Sequence, residues 1–482
     1  RSHWFDSSIA HSPRVERTNK MTRSVVVGLG RSGLGAARLL RFRGSEVIVL
    51  ERSDSEEYRR KSAELQTQGI DVRLGQALEI ASFEPWLGEI DQVVISPGIS
   101  WTHPTLEALR ERGVPLKGEM ALAWETLGDR PWIGITGTNG KTTVTHLLHH
   151  VLSHAGLEAP MAGNMGFSAA ELALGCLEGS SPKPDWVVME MSSYQIEAAT
   201  DVAPRIGIWT TLTPDHLERH GSIDAYRAIK RGLLERSELA ILNGDDPDIS
   251  RTRCSWGQNR VNWVSTSHLG EHSASTRLSI SSDGWVCEGE RRLFAAEALA
   301  MPGEHNRQNM LLVTAAALEA GLAADTINSA LRCFDGVPHR LESLGTVQGI
   351  PVFNDSKATN YDAAAVGLQS VPDPVVLLAG GQTKRGDAQP WLQLLNERSS
   401  AVVLFGAGAE ELRGLIETTA FPGEVTTHKD LNEAVPHALE LARQQKAASL
   451  LLSPACASFD QYPDFEARGD HFRELIEARR SN

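Results

Sequence analysis

Short apolar runs alternate with longer amphipathic stretches along almost the whole chain. The runs are rich in β-branched residues, as in Val25-Val26-Val27, and they predict buried strands. Between them, apolar residues recur every three to four positions, which is typical of helices that cover a sheet. One such helix would present Val144, Leu147, Leu148, Val151 and Leu152 on a single face. The alternation predicts α/β domains with parallel sheets.

The predicted strands form three blocks. They are expected at 24–27, 47–50 and 92–95, then at 132–136, 186–189, 206–212 and 239–242, and finally at 351–354, 375–379, 401–405 and 449–452. Residues 254–294 alternate Trp, Val and Ser between turn signals, and they predict a β-hairpin-rich insertion. A helix is expected over 309–320. Gly336-Val337-Pro338 predicts a hinge between the second and third blocks.

Composition narrows the classes of function. The chain has 482 residues, too many for one hydrophobic core, so several domains are expected. Its net charge of −14 argues against a general nucleic-acid binder, because no basic stripe is present to neutralise phosphates. No apolar stretch is long enough to predict a membrane span. The five cysteines form no CxxC pair, which favours a reducing, cytoplasmic location and argues against a disulfide framework or a zinc site.

The first twenty residues differ from the rest of the chain. They are polar and aperiodic, and they lack the apolar segment of a secretory signal. Met21 stands directly before the first predicted strand. We therefore expect residues 1–20 to be a disordered leader.

The loop after the predicted strand at 132–136 carries the clearest chemical signal. It consists of Gly137, Thr138, Asn139, Gly140, Lys141, Thr142 and Thr143, and a helix follows. Glycines let backbone N–H groups wrap a phosphate, and the helix N-terminus favours its charge. Lys141 would reach the β- and γ-phosphates of ATP, and the Thr142 hydroxyl would ligate Mg²⁺. The match to G-x-x-x-x-G-K-[ST] is imperfect because Ile135 replaces the first glycine; the alternative is a glycine-rich turn with a surface lysine.

Two further strand ends supply candidate metal ligands. Glu190 ends the predicted strand at 186–189, the usual place for an acid that holds Mg²⁺ or positions water. Asp215 and His216 follow the next strand, where they would join the metal shell or orient a reacting carboxylate. The alternative is that Glu190 caps a helix and that His216 hydrogen-bonds only locally.

The helix after the loop is rich in histidine. It contains His146, His149, His150 and His154. His146 and His150 are four residues apart, a possible metal-binding pair. They face away from the apolar stripe and no third ligand is evident, so we interpret them as a solvated helix face. Cys456 is interpreted as a small buried residue, because no base partner is visible.

A second glycine motif opens the first block. Gly28-x-Gly30-x-x-Gly33 follows a strand, and Glu51 lies about 20 residues later, as in dinucleotide-binding domains. Alone, this motif indicates an NAD-dependent oxidoreductase. Such an enzyme does not need an ATP loop, so we interpret the block as a domain for a nucleotide-linked substrate.

A third possible class of function is an ATP-hydrolysing switch or motor. Amine-dependent phosphate release would separate a ligase from a switch, and an absorbance change with NADH would support the oxidoreductase.

These motifs and others resemble the Mur ligase family, which also includes folylpolyglutamate synthases. The similar segments are Gly137–Thr143, Gly163–Gly166, Glu190–Gln195, Asp215-His216, Tyr226–Lys230, His305-Asn306 with Asn309, and Pro338–Arg340. Asn354–Asn360 and Ser453–Asp460 resemble the D-glutamate-adding branch. The Asp-Asn-Pro-Arg motif of the branch that adds diaminopimelate or lysine is absent.

The resemblance implies an α/β fold of three domains. A Rossmann-like N-terminal domain would occupy 21–118, a central P-loop ATPase domain with a parallel sheet and a small β-rich part 119–336, and a Rossmann-like C-terminal domain 337–482. It further implies a monomeric ligase that uses ATP and Mg²⁺. The small-molecule substrates would be UDP-N-acetylmuramoyl-L-alanine and D-glutamate, joined through an acyl phosphate in peptidoglycan precursor synthesis.

The resemblance also implies roles for individual residues. The UDP substrate would contact Gly30, Arg31, Ser32, Gly33, Glu51, Ser96, Pro97, Gly98 and Asn164, with Glu51 standing where relatives carry Asp. ATP would bind through Gly137–Thr143 together with Asn306, Asn309, Arg340, Asp355 and Lys357. D-Glutamate would contact Thr359, Lys384, Ser458 and Phe465. The metal ligands would be Thr142, Glu190, His216 and a carbamylated Lys230, and the catalytic residues Lys141, His216 and Lys230.

Overall fold

The computed structural model describes residues 22–256, 260–267, 276–301, 303–383 and 386–480. The predicted leader at 1–20 and the candidate ligand Lys384 lie outside these residues. The described chain divides into two compact units: residues up to 141 with 156–279, and residues 142–155 with 280 onward. No helix in the described part of the chain combines the length and apolar character needed to cross a bilayer.

The first unit opens with a parallel five-stranded sheet. Its strands are β1 (Arg23–Val27), β2 (Glu46–Leu50), β3 (Asp71–Arg73), β4 (Gln92–Ile95) and β5 (Leu116–Gly118), and its helices are α1 (Arg31–Phe42), α2 (Glu56–Thr67), α3 (Pro104–Glu111) and α4 (Glu119–Leu127). The strand order is β3-β2-β1-β4-β5. The order reverses between β1 and β4, so the loops after these strands border the crevice in which such sheets bind ligands.

Two glycines permit the sharp turn after β1. Gly28 has φ +92°, and a Cβ on Gly33 would lie 1.9 Å from the Gly28 carbonyl oxygen, so only glycine lets α1 start this close to the strand. The buried Glu51 carboxylate fixes the same turn, because it accepts hydrogen bonds from Leu29 N at 2.7 Å and Ser53 N at 2.8 Å.

A larger parallel sheet completes the first unit. Its strands are β6 (Trp132–Thr136), β7 (Met161–Gly163), β8 (Val187–Glu190), β9 (Ile206–Trp209), β10 (Leu239–Asn243), β11 (Arg260–Ser265) and β12 (Thr276–Ile280). They lie in the order β12-β11-β10-β9-β6-β8-β7. The helices are α6 (Ala169–Glu178), α7 (Ser193–Glu197), α8 (Leu217–His220), α9 (Ile223–Arg236) and α10 (Pro247–Ser250). Every residue of β6 is buried, so the loop that follows starts from a rigid strand.

The prediction of a hairpin-rich insertion over 254–294 is only partly right. β11 pairs parallel to β10 and to β12, and therefore extends the sheet. β13 (Trp285–Glu288) and β14 (Arg291–Ala295) form an antiparallel hairpin, as predicted for this part of the region. Trp263 and Val264 on β11 are both buried, a pattern that suits a sheet covered on both faces better than a hairpin arm.

The second unit contains α5 (Lys141–His154) from its second residue onward. Its other helices are α11 (Glu304–Glu319), α12 (Ala324–Arg332), α13 (Tyr361–Ser370), α14 (Gln389–Arg398), α15 (Ala409–Glu417), α16 (Leu431–Gln444) and α17 (Phe465–Arg480). Its sheet comprises β15 (Glu342–Val347), β16 (Ile350–Asn354), β17 (Val375–Gly380), β18 (Ser399–Phe405), β19 (Glu424–His428) and β20 (Ser449–Leu452). The order is β15-β16-β20-β17-β18-β19, with β15 antiparallel to β16. Two apolar clusters contain residues from these strands and helices.

Candidate functional site

The phosphate loop connects β6 to α5 through backbone conformations that favour glycine. Gly137 has φ +151°, and a Cβ at this position would lie 1.9 Å from Thr210 Oγ1. Gly140 has φ +80°. A side chain at either position would strain the turn, so the two glycines are required by the shape of the loop.

Residues that follow β9 hold the loop in place. Thr138 N donates to Thr211 O at 2.9 Å, and Asn139 N donates to the Thr211 hydroxyl at 2.8 Å. The Thr138 hydroxyl donates to Thr213 O at 3.0 Å. The loop conformation is therefore fixed by a neighbouring strand end as well as by its own sequence.

Lys141 lies against the loop that precedes it. Its Nζ donates to the carbonyl oxygens of Gly137 at 2.9 Å and Thr138 at 2.8 Å. A lysine held at this position is the group that meets the terminal phosphates in phosphate loops. In the second unit, Thr142 and Thr143 are buried at the start of α5, and Thr142 Oγ1 accepts a hydrogen bond from Arg340 Nη2 at 3.3 Å.

Lys230, on α9, is almost completely buried. Its Nζ donates to Gly137 O at 2.9 Å and to Thr136 Oγ1 at 3.3 Å, and it lies 4.5 Å from the centre of the Tyr226 ring. Burial, and then the nearby charge of Lys141, lower the pKa of Lys230 well below its usual value. The surroundings of Lys230 thus disfavour its charged form relative to a lysine in water.

Glu190 ends β8 and is also buried. Its Oε1 accepts a hydrogen bond from Asn164 Nδ2 at 2.9 Å, whereas Oε2 has no hydrogen-bond partner among the described residues. A buried carboxylate oxygen without a donor is costly unless a cation neutralises it. Glu190 therefore fits a metal ligand better than the helix-capping role considered from the sequence; the cap of α7 is Ser192.

His216 directly precedes α8 and has a strained backbone conformation. Its φ is +54°, and its Nε2 lies 3.4 Å from Asp215 Oδ2. The imidazole is half exposed and lies 5.0 Å, centre to centre, from the Tyr194 ring. A strained, accessible histidine beside a carboxylate suits ligand or metal binding more than packing.

An aromatic cluster that sequence reasoning did not assign lies beside His216. The His220 ring lies 5.4 Å from that of Tyr194 and 5.5 Å from that of Tyr226. His220 Nε2 is 2.9 Å from the Ser193 hydroxyl, and burial lowers the pKa of this histidine. Tyr194 and Tyr226 lie within two of the segments that resemble the family. That resemblance is the one sequence feature that could have marked them as functional residues.

Several of these groups, though not Glu190 or His220, line a cavity of about 270 Å³ within the first unit. Its lining includes Arg31, Ser32, Pro97, Lys141, Gly163, Asn164, Tyr194, Asp215, His216, Tyr226 and Lys230. Arg31 Nη2 donates to Asn164 O at 3.3 Å, which joins the start of α1 to the loop after β7. The cavity thus brings together residues that the sequence assigned to the UDP substrate, to ATP and to the metal. The other residues predicted to contact the UDP substrate do not line this cavity. Gly30, Glu51, Ser96 and Gly98 lie in the loops after β1, β2 and β4, and Gly33 lies in the first turn of α1.

Other predicted residues lie in the second unit. Asn306 and Asn309 are buried on α11, with Asn309 Nδ2 donating to Asn306 Oδ1 at 3.5 Å. Asp355 follows β16, and its Oδ2 accepts a hydrogen bond from the Ser453 hydroxyl at 2.9 Å. Burial raises the pKa of Asp355 to about 7. Lys357 Nζ lies 5.3 Å from the centre of the Phe465 ring.

Arg468 organises the strand ends around the candidate amino-acid ligands. It is fully buried, and its guanidinium donates to Ser356 O at 2.8 Å, Cys456 O at 3.0 Å and Gly380 O at 3.4 Å. These carbonyls follow or end β16, β20 and β17. Of the predicted ligands, Ser458 is buried two residues after Cys456, Thr359 is half-buried in the loop after β16, and Phe465 begins α17. The interpretation of Cys456 as buried is confirmed.

Family models match nearly the whole described chain. A Mur ligase MurD-like N-terminal domain matches residues 22–118, a Mur ligase middle domain 135–317, and a Mur ligase glutamate ligase domain 339–456. The prediction of a three-domain α/β fold is thereby confirmed.

Curated relatives and solved structures agree with these matches. Proteins named UDP-N-acetylmuramoylalanine--D-glutamate ligase from Prochlorococcus marinus (strain MIT 9313) and Synechococcus sp. (strain CC9605) are each 61% identical over 456 residues, covering 95% of this chain and 99% and 98% of theirs. A crystal structure of UDP-N-acetylmuramate-alanine ligase MurC from Thermotoga maritima is 20% identical, with a TM-score of 0.57, covering 95% of this chain and 99% of that chain, and shows the shared fold. The chain belongs to the Mur ligase family.

Proposed function

We propose that this chain is an ATP-dependent ligase that joins D-glutamate to the L-alanine carboxylate of UDP-N-acetylmuramoyl-L-alanine in peptidoglycan precursor synthesis. One observation carries the proposal: a single cavity is lined by Lys141, Lys230 and His216 and also by Arg31 and Asn164. Phosphoryl-transfer groups and groups suited to an anionic, nucleotide-linked substrate therefore meet in one place. The names of relatives 61% identical over 95% of the chain support the same reaction.

The reaction would proceed in two steps. A carboxylate oxygen of the UDP substrate forms a bond to the γ-phosphorus of ATP, the bond from that phosphorus to the β–γ bridging oxygen breaks, and ADP leaves. The amine nitrogen of D-glutamate then attacks the acyl carbon, phosphate departs with the C–O electron pair, and the amine proton passes to solvent. Lys141, placed at the loop, would neutralise charge on the transferring phosphoryl group.

The residues around Glu190 fit a divalent cation, because one buried oxygen of this carboxylate has no hydrogen-bond partner among the described residues. We propose Mg²⁺ as that cation, with Thr142, Glu190, His216 and Lys230 as its ligands. When bound, it would screen the charge of the attacking carboxylate from that of the γ-phosphate.

Lys230 would become a ligand by reacting with carbon dioxide. Its lowered pKa favours the neutral amine, which can form an N–C bond to carbon dioxide and release a proton to solvent. The resulting carbamate is a carboxylate. A buried neutral amine would thus become an anion suited to Mg²⁺, and the bound cation would compensate the cost of burying that negative charge.

The remaining assignments belong to the same proposal. ATP would also contact Asn306, Asn309, Arg340, Asp355 and Lys357, and D-glutamate would contact Thr359, Lys384, Ser458 and Phe465. The UDP substrate would contact the loops that carry Gly30, Glu51 and Ser96. We propose a cytoplasmic monomer with domains at 21–118, 119–336 and 337–482.

Phosphate release in the presence of ATP, Mg²⁺ and the UDP substrate tests the function. D-Glutamate should stimulate release, and one peptide bond should form for each phosphate, whereas L-glutamate, L-lysine and diaminopimelate should not support turnover. A response to L-lysine or diaminopimelate instead would assign the chain to another branch of the family. Phosphate release without any amino acid or UDP substrate would favour an ATP-hydrolysing switch.

A further inference from the structure

Three potential metal ligands lie close together at the C-terminal end of α5. His150 and His154 lie one turn apart on this helix, and Cys333 directly follows α12. The Cys333 Sγ lies 3.8 Å from His150 Nε2 and 3.7 Å from His154 Nδ1, and the three ligand atoms lie within 4.8 Å of one another. The structure thus supplies the third ligand that the sequence did not reveal. The interpretation of these histidines as a solvated helix face describes His154, which is exposed, whereas His150 is half-buried.

The spacing suits a tetrahedral metal ion. With a metal–sulfur distance of about 2.3 Å and a metal–nitrogen distance of about 2.05 Å, tetrahedral ligation places sulfur and nitrogen about 3.6 Å apart. The observed distances of 3.8 Å and 3.7 Å exceed this by only about 0.1–0.2 Å. Small side-chain adjustments would therefore be enough for ligation.

Neighbouring groups orient the two imidazoles. His154 Nε2 lies 3.1 Å from the Ser329 hydroxyl, so Nδ1 is directed to the thiol, an arrangement common around metal-binding histidines. His150 Nε2 also lies 2.9 Å from Ala330 O. Ligation through this nitrogen would move its proton to Nδ1 and release the carbonyl. The Phe334 ring, 5.2 Å from that of His150, forms an apolar wall.

We propose that His150, His154 and Cys333 form a binding site for a thiophilic divalent cation such as Zn²⁺, with water as the fourth ligand. Binding releases the Cys333 thiol proton to solvent, because the thiolate forms the bond to the metal. Thiolate and imidazole select such a cation over Mg²⁺, which prefers oxygen ligands. The site is distinct from the proposed Mg²⁺ site, since residues 150 and 154 lie about 12–18 Å along the helix from Thr142 at 1.5 Å per residue.

A metal in this site would join two segments of the second unit. It would link the C-terminal end of α5 to the segment that follows α12 and precedes Gly336. The first turn of the same α5 helix contains Thr142. An ion that binds only the folded chain also stabilises it, so Zn²⁺ should raise the thermal unfolding midpoint.

Cobalt(II) absorption spectroscopy on the full chain, with Mg²⁺ in excess, tests this proposal. A cobalt–thiolate bond gives a charge-transfer band in the near ultraviolet, which oxygen-ligated Co²⁺ lacks. We expect this band at one equivalent of Co²⁺ and its displacement by one equivalent of Zn²⁺. Cys333→Ser should abolish the band, and His154→Gln should weaken Co²⁺ binding by at least the roughly 10- to 100-fold cost of losing an outer-shell partner.

Two controls keep the assignment specific. Cys254→Ser removes another exposed thiol, and His149→Gln removes a histidine of the same helix that does not belong to the cluster; both should retain the band. Its absence in the wild-type chain at saturating Co²⁺, or its persistence in folded Cys333→Ser, would overturn the proposal. If Cys333→Ser does not fold, unchanged Co²⁺ affinity in folded His154→Gln would overturn it equally.

Discussion

Lys141 and Lys230 donate hydrogen bonds to the same acceptor, the carbonyl oxygen of Gly137, each with a nitrogen–oxygen distance of 2.9 Å. Two ammonium groups this close repel each other, and Lys230 is the more deeply buried of the two. The pKa of Lys230 is accordingly lowered well below its usual value. This arrangement beside the phosphate loop is the basis of our proposal that Lys230 reacts with carbon dioxide.

The lowered pKa of Lys230 predicts that catalysis depends on carbon dioxide. Enzyme depleted of bicarbonate should lose activity and recover it when bicarbonate is restored. Nuclear magnetic resonance with ¹³C-labelled bicarbonate should show one carbamate carbon, absent in Lys230→Ala. A bicarbonate-depleted enzyme that keeps full activity would exclude a catalytic carbamate.

The position of Lys141 predicts a large loss of rate when its charge is removed. Lys141→Ala should lower kcat/KM by roughly 10²–10³-fold, the usual loss when one preorganised charge-stabilising group is deleted. Phosphate release measures the effect. The exposed Lys183, replaced by Ala, serves as the control and should leave the rate unchanged. Near-normal turnover in Lys141→Ala would refute the assigned role.

Because Glu119, the first residue of α4, is buried, we expect the stability of the folded chain to depend on pH. The Glu119 Oε1 accepts a hydrogen bond from Ala170 N at 2.5 Å, and burial raises the pKa of Glu119 from 4.5 to about 7. The folded chain therefore binds this proton more tightly than the unfolded chain, so stability falls as the pH rises from 4.5 to about 7, by up to about 3 kcal/mol.

Glu119→Gln should remove this decline. Its thermal unfolding midpoint should exceed that of the wild type above pH 7 and approach it below pH 4.5. Glu125→Gln, which changes a more exposed carboxylate on the same helix, is the matched control. Parallel wild-type and Glu119→Gln curves across this range would show that Glu119 does not bind the proton on folding.

The contacts of Arg468 predict that its loss destabilises the second unit. Arg468→Met would leave the carbonyls of Ser356, Cys456 and Gly380 buried and without this donor, at about 1–3 kcal/mol each. We expect a loss of at least about 3 kcal/mol, seen as a lower midpoint of thermal unfolding. Arg413→Met, on the surface of α15, should change stability by no more than about 0.5 kcal/mol. Equal midpoints for the two variants would contradict the structural role of Arg468.

Local patterns in the sequence predicted the elements on which the site is built. The β6–loop–α5 unit was predicted because apolar periodicity, glycines and Lys141 occur together within a short segment. Glu190 could be predicted as a metal ligand because it ends an apolar strand. The start of α11 was missed by five residues, since its first turns, from Glu304, contain polar residues that leave no apolar stripe.

Contacts between distant segments could not be predicted in this way. Tyr194 and Tyr226 meet His220 only after three separate segments fold together. Cys333 lies 183 residues along the chain from His150 and 179 from His154. Arg468 showed no signal because an arginine in a polar helix is ordinarily exposed. The roles assigned through resemblance, including that of Lys384, remain predictions.

Oxygen-18 transfer tests most directly whether the loop around Lys141 serves phosphoryl transfer to a carboxylate. The alanine carboxylate of the UDP substrate would be labelled with ¹⁸O on both oxygens, and the phosphate released during D-glutamate addition would be analysed by mass spectrometry. An acyl phosphate places one ¹⁸O atom in each released phosphate. Unlabelled phosphate, or formation of ¹⁸O-labelled AMP with pyrophosphate, would contradict this mechanism.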